Sequence, residues 1–207
     1  MTKRVSLPIQ GRSEPIAERA DAARNRVRIL TATRKLLAKR PIESICMEDV
    51  ARAAGVGKGT VFRRFVDRST LCLALLDENE RTLQENVLAD FGLPKSATAL
   101  ERLSVFLDAL FAFHADNAVL LAEAESFSRK DRFQAPVYAW RVRELVRRIQ
   151  RAADAGAIQP GNVGITAELI LSGLGAQLLL RQMELTGGRD ALHTQVLGVW
   201  QRLLNCQ

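Results

Sequence analysis

At 207 residues the chain can hold one substantial hydrophobic core, or a small module joined to a larger one. Its 47% hydrophobic and 26% charged residues are those of an ordinary globular protein and exclude a disordered one. The opening MTKRVSLPIQ lacks an apolar stretch of signal length, and the most apolar run, ITAELILSGLGAQLLL, is interrupted by Glu168 and Gln177, so we expect a cytoplasmic protein without a membrane span.

The net charge of +7 is unevenly placed: residues 1–70 carry 16 Lys and Arg against 7 Asp and Glu, while residues 71–207 carry 14 against 16. Such a basic first third is a candidate for binding a polyanion, and a docking geometry must be found to support it. Residues 1–13, with Lys3, Arg4, Pro8, Gly11 and Arg12, read as a basic arm. Ser13 can cap a helix with Glu14 and Pro15 in its first turn, and Val27, Ile29, Leu30, Leu36 and Leu37 form its apolar stripe. Asn25 offers a second start, and Pro41 closes the segment.

Met47, Val50, Ala51 and Ala54 fall at i, i+3, i+4 and i+7, one face of a short helix that Gly55 can end in the left-handed conformation. After Val56 in the bend, a second short helix is predicted from Lys58 to Phe65. Gly59 leaves its backbone bare to whatever approaches it. From Ser69, a candidate cap, the pattern is helical throughout: 69–91, 97–115, 117–128, 133–155, 162–186 and 189–205. The breaks are expected at 92–94, at Asp116 and Asn117, at 129–132, at 156–161, and at Gly187 and Gly188. No alternating segment makes a strand, so the predicted class is all-α.

The run MEDVARAAGVGKGTVFRRFVDRSTL resembles the helix-turn-helix of TetR-family transcriptional regulators, with the match spanning residues 25–71. The resemblance implies a DNA-binding domain of three helices at 14–70, followed at 71–207 by a larger helical domain for effector binding and dimerisation. It implies Lys58, Gly59, Thr60 and Arg63 facing the major groove, Thr60, Arg64 and Arg68 on or near phosphates, and Asn25 and Arg26 on the flanking backbone. The chemistry agrees: Arg63 can fork onto guanine, and Thr60 offers a hydroxyl and a methyl. Phe62 stands where the family usually has tyrosine, so a hydroxyl contact to phosphate is lost there. Gly57 and Cys46 stand at positions commonly Ser or Thr, which weakens the caps of both short helices.

In the C-terminal two-thirds, the run with Leu171, Leu174, Gly175 and Leu178, together with Val196, Trp200 and Leu203 on the last helix, resembles the family's dimer-forming bundle of two helices from each subunit. The alternative is that these faces fill the subunit's own core. Phe106, Leu110, Phe111, Tyr138, Trp140 and Gln177 are the expected walls of a pocket for a small apolar or aromatic effector, with His114, Glu123, Glu125, Arg141 and Arg181 as further polar groups of the middle helices. Neither a catalytic residue, a cofactor nor a metal is expected: HExxH, GxSxG and a phosphate-cradling glycine loop are all missing. Three cysteines without a CxxC pair give neither a disulfide framework nor a zinc site. The reading is a homodimeric, ligand-responsive repressor on a palindromic operator of double-stranded DNA. The alternatives are a nucleoid-associated DNA-binding protein without an effector and, behind it, a helical enzyme.

Overall fold

A computed structural model of the chain describes residues 16–127 and 135–205, and these form ten α-helices without a strand. The arm at 1–13, the Ser13 cap, the side chain of Phe127, the break at 129–132 and Cys206 lie outside the described residues. The chain divides into two compact units between Val66 and Asp67.

The first unit holds α1 (Ile16–Leu37), α2 (Met47–Ala54) and α3 (Lys58–Arg64). Helix α1 runs unbroken through Asn25, so that residue is a mid-helix position and caps nothing. The helix buries Ile29, Leu30, Ala32 and Thr33, whereas Val27, expected on the apolar stripe, is 60% exposed. Thr33 keeps its buried hydroxyl satisfied by donating to the Ile29 carbonyl at 2.8 Å. Helix α2 buries Met47, Val50, Ala51 and Ala54, the four residues that its period picks out. These pack with Val61 and Phe65 from the α3 segment in one small core.

The second unit begins with α4 (Arg68–Leu88), whose cap is Asp67 rather than Ser69: its carboxylate accepts the Thr70 N–H at 2.7 Å. A left-handed turn at Asp90 and Phe91 leads to α5 (Ala99–Asp116), started by a reciprocal box between Thr98 and Glu101. Helices α6 (Ala118–Phe127), α7 (Pro136–Asp154), α8 (Val163–Ser172), α9 (Ala176–Thr186) and α10 (Arg189–Leu204) complete it. Helix α5 forms the middle of the core, with Leu103, Phe106, Leu110 and Phe111 fully buried and Glu101, Ser104 and Asp116 on its exposed side. Leu145, Ile149 and Ala152 of α7, Ala167 and Ile170 of α8, Leu179 of α9, and Leu192, Trp200 and Leu204 of α10 close around it.

The single helix expected over 162–186 is two helices, bent by 67° at a break of three residues. Gly173 and Gly175 flank the break, each costing a helix about 1 kcal/mol relative to alanine, and Leu174 between them is buried. Among the described residues, no single helix is long and apolar enough to cross a membrane.

Candidate nucleic-acid interface and ligand cleft

Two arrangements can carry function, one in each unit. In the first unit, α2 ends on Gly55 at φ 61° and ψ 40°, and the Val56 N–H reaches back to the Ala51 carbonyl at 3.1 Å, the closing bond of a left-handed helix stop. Arg28 of α1 donates to the Gly55 carbonyl at 2.8 Å, and a Cβ on Gly55 would sit 3.0 Å from that same guanidinium nitrogen. The left-handed backbone angle favours glycine here, and a Cβ would press on the end of the Arg28 side chain. Asp49 in the first turn of α2 accepts from the Cys46 N–H at 3.5 Å and from Arg40 at 2.5 Å, and these partners hold its carboxyl below the usual range. Cys46 and Asp49 thus form a reciprocal capping box, the Cys46 side chain facing the Asp49 N–H and the Asp49 carboxylate the Cys46 N–H.

Helix α3 is held by its buried side and leaves its charge outside. Val61 and Phe65 are buried, and Arg26 lies over the Phe65 ring at 5.7 Å. Arg63 and Arg64 are exposed, Thr60 and Asn25 are half-buried, and a Cβ on Gly59 would meet nothing within 4 Å. Gly59 and Arg63 are four apart, so a bare stretch of backbone and a guanidinium share one helix face. Phe62 is 38% exposed, and the Lys58 ammonium lies 5.6 Å above its ring. Lys58 also pairs with Glu48 of α2, which holds that carboxyl below its usual value. Reaching another anion costs Lys58 this exposed pair.

One expected member of this set stands apart. Arg68 falls in the second unit, where its Nε donates to the Glu123 carboxylate of α6 at 2.6 Å. A guanidinium committed to a carboxylate is a poor phosphate contact, so Arg68 is better read as a tie between α4 and α6.

In the second unit α4, α5, α6, α7 and the α8–α9 break enclose a cleft of about 870 Å³. Its wall is mainly apolar, from Leu73, Leu76, Phe113, Leu121, Ala124, Leu171 and Leu174, with Tyr138 at the start of α7. The expected walls Phe106, Leu110 and Phe111 do not line it, because they are fully buried in the core beneath. Trp140 packs half-buried against that core, and Gln177 is exposed, so of the six expected residues only Tyr138 lines the cleft.

Three polar side chains meet at the cleft wall. Arg141 of α7 pairs with Glu80 of α4 and lies 4.6 Å over the Phe113 ring. One of its Nη atoms is 3.3 Å from His114 Nε2, while His114 Nδ1 is 2.8 Å from the Leu110 carbonyl. A guanidinium only donates and a carbonyl only accepts, which fixes His114 as the neutral Nδ1–H tautomer. Burial lowers the Arg141 pKa, and the adjacent Glu80 carboxylate opposes that shift. Glu80 lies 61 residues from its partner, and no local spacing in the sequence announces the pair.

The residues expected at a subunit interface divide. Leu171, Leu174, Gly175 and Trp200 are buried within the subunit, and the two leucines line the cleft. Val196 and Leu203 are half-buried, and Leu178 is exposed. The apolar side chains that α8, α9 and α10 do leave exposed are Ile165, Leu169, Leu178, Leu185 and Val199. Elsewhere, burial pushes the Cys72 thiol up to about 12, which leaves it an inert packing group. Among the described residues, no group of three His, Cys, Asp or Glu could hold a metal ion.

Comparison with known proteins bears on both units. Residues 29–75 match the family described as bacterial regulatory proteins, tetR family. An HTH-type transcriptional regulator of Staphylococcus aureus (strain bovine RF122 / ET3-1) is 34% identical over 117 residues, 56% of this chain and 61% of that protein. The match therefore spans less than two thirds of the relative's length. Over the whole fold, a tetR-family regulatory protein from Rhodococcus RHA1 superimposes with a TM-score of 0.60 at 18% identity, covering 88% of this chain and 98% of its own. The transcriptional regulator FadR from Bacillus subtilis, solved with stearoyl-CoA, gives 0.60 at 16% identity over 86% and 99% of the two chains. AibR, solved with isovaleryl coenzyme A and operator DNA, gives 0.50 at 19% over 73% and 83%.

Proposed function

We propose, from the premise that the chain belongs through residues 29–75 to the tetR family of bacterial regulatory proteins, that it is a sequence-specific DNA-binding repressor released by a small molecule. The observation that carries this reading is α3: a short helix anchored by Val61 and Phe65, with bare backbone at Gly59 and the Arg63 and Arg64 guanidinium groups free on the outside. In this reading Arg63 and Thr60 contact base edges, and Arg64, Arg26 and Asn25 contact the phosphate backbone. Lys58 exchanges Glu48 for DNA on binding.

The effector occupies the cleft of the second unit, whose volume lies in the range of about 300–1,000 Å³ common to small-molecule sites. Its mostly apolar wall favours a ligand with an apolar body, and the acyl-CoA complexes of FadR and AibR are in keeping with that chemistry. Helix α4 lines the cleft through Leu73, Leu76 and Glu80, and only Phe65, Val66 and Asp67 separate it from α3 in sequence. A ligand that prefers a shifted α4 thereby moves the recognition helix. Moving the population from 1:99 to 99:1 takes a differential affinity of about 5.5 kcal/mol.

The working form is a cytoplasmic homodimer, because a palindromic operator presents half-sites about 34–36 Å apart to two recognition helices. The exposed apolar side chains of α8, α9 and α10, Leu178 among them, form the subunit contact. Catalysis has no part in this function. Selection of bound sequences from random duplexes tests the reading: a two-fold symmetric motif supports it, and recovery of unenriched DNA favours a nucleoid-type protein instead.

A further inference from the structure

A second, smaller pocket lies about 10 Å further along α7 than Arg141, at a rise of about 1.5 Å per residue. It measures about 220 Å³ and is lined by Ala99 and Arg102 at the start of α5 and by Arg148 and Arg151 in the last turns of α7. Three guanidinium groups converge there. Arg102 pairs with Asp90, and Arg148 reaches the other oxygen of the same carboxylate at 3.3 Å. Arg148 is only 4% exposed, lies 4.8 Å over the buried Phe106 ring, and leaves its Nε without a hydrogen-bond partner. The other carboxylate nearby, Glu144, stands 3.8 Å from that Nε and is already held by Arg147 at 2.5 Å. Arg151 is exposed and has no ion pair among the described residues.

Of the three guanidinium groups, Arg102 is held by Asp90 and by the carbonyls of Pro94, Lys95 and Ala97, the almost wholly buried Arg148 shares Asp90 and has a longer contact to Glu144, and Arg151 is unmatched among the described residues. A buried cation without full compensation is costly, and an oxyanion is the group whose geometry a guanidinium fork fits. We propose that Arg102, Arg148 and Arg151 form a binding site for a phosphate-type oxyanion, separate from the effector cleft. The volume is below the range for drug-sized molecules and accommodates a free phosphate or one phosphate group of a larger molecule. Burial, followed by Arg147 and more weakly by Arg151 and Arg102, makes the Arg148 charge harder to keep, Glu144 partly opposes them, and a bound anion would add to that opposition. Because Asp90 lies two residues past the end of α4 and holds both Arg102 and Arg148, occupancy also loads the junction of α4, α5 and α7.

Calorimetric titration of the full chain with inorganic phosphate, and separately with glycerol 3-phosphate, at constant ionic strength in chloride buffer tests the site. Wild type should bind with saturable heat, tighter for the free ion or tighter for the ester according to which source the site serves. Arg151→Gln removes an exposed arginine that holds no structural bond, so the fold stands while affinity falls roughly ten- to hundredfold, the loss of one charge-assisted contact. Arg63→Gln with Arg64→Gln should leave the titration unchanged, which separates this site from phosphate binding on α3. Heats no different from added chloride, or equal affinity in Arg151→Gln and wild type, would overturn the proposal.

Discussion

Replacing Arg141 by leucine should destabilise the second unit by about 3–5 kcal/mol, because it leaves the Glu80 carboxylate largely buried without its cation. The pair itself supplies about 4 kcal/mol at a separation of about 4 Å and an effective dielectric of about 20. His114 Nε2 loses its donor as well, and the Phe113 ring loses a cation at 4.6 Å. Burial outweighs the Glu80 attraction in lowering the Arg141 pKa, and buried ion pairs in general return little over an apolar pair of the same volume. It follows that the double change Arg141→Leu with Glu80→Leu should recover most of the loss and lie within about 1 kcal/mol of wild type. Urea unfolding of the four proteins at pH 7, with m-values compared to verify a common transition, closes the double-mutant cycle. A loss below about 1 kcal/mol for Arg141→Leu, or a double variant no better than the single one, would refute the reasoning.

Three further outcomes follow from the same geometry. Arg63→Ala should cost about 1–3 kcal/mol on a selected operator and relax the preference at one base position, read by repeating the duplex selection with the variant. Asp67→Ala removes the α4 cap and should cost about 0.5–2 kcal/mol at pH 7. Thr70, through its hydroxyl and N–H, lowers the Asp67 pKa, so the contribution is present above the ordinary aspartate range, and the gap between wild type and variant should close as pH falls below about 4 in parallel melts. Leu178→Arg should convert dimers to monomers by sedimentation at micromolar concentration, and a monomeric wild type on and off DNA would remove the proposed interface.

Local rules made the first unit legible and left the second partly hidden. The face of α2, the left-handed stop at Gly55 and the start of α3 at Lys58 each depend on a few consecutive residues, and the structure has them where the sequence placed them. Caps were harder: the sequence points to Ser69 for the start of α4, whereas the Thr70 N–H bond shows that Asp67 is the cap. The cleft depends on residues brought together from six helices, so aromatic content was a poor guide. Phe106 and Phe111 are large enough to belong to a wall or to a core, and both lie fully buried on the inward side of α5. Leu171 and Leu174 read as subunit-interface residues for a related reason: a stretch that reads as one helix conceals the bend at 173–175, beside which both line the cleft. Arg68 was separated from the DNA-facing set by Glu123, a partner 55 residues away.

The most direct test of the central claim is the ratio of affinities for a selected palindromic duplex and for a scrambled duplex of the same length and composition, measured by fluorescence anisotropy at physiological salt. A sequence-specific regulator reading bases through α3 should prefer the palindrome by about a thousandfold or more, with both affinities falling as salt rises. A ratio near one, with the same salt dependence on both duplexes, would contradict the account and leave a protein that binds the DNA backbone alone.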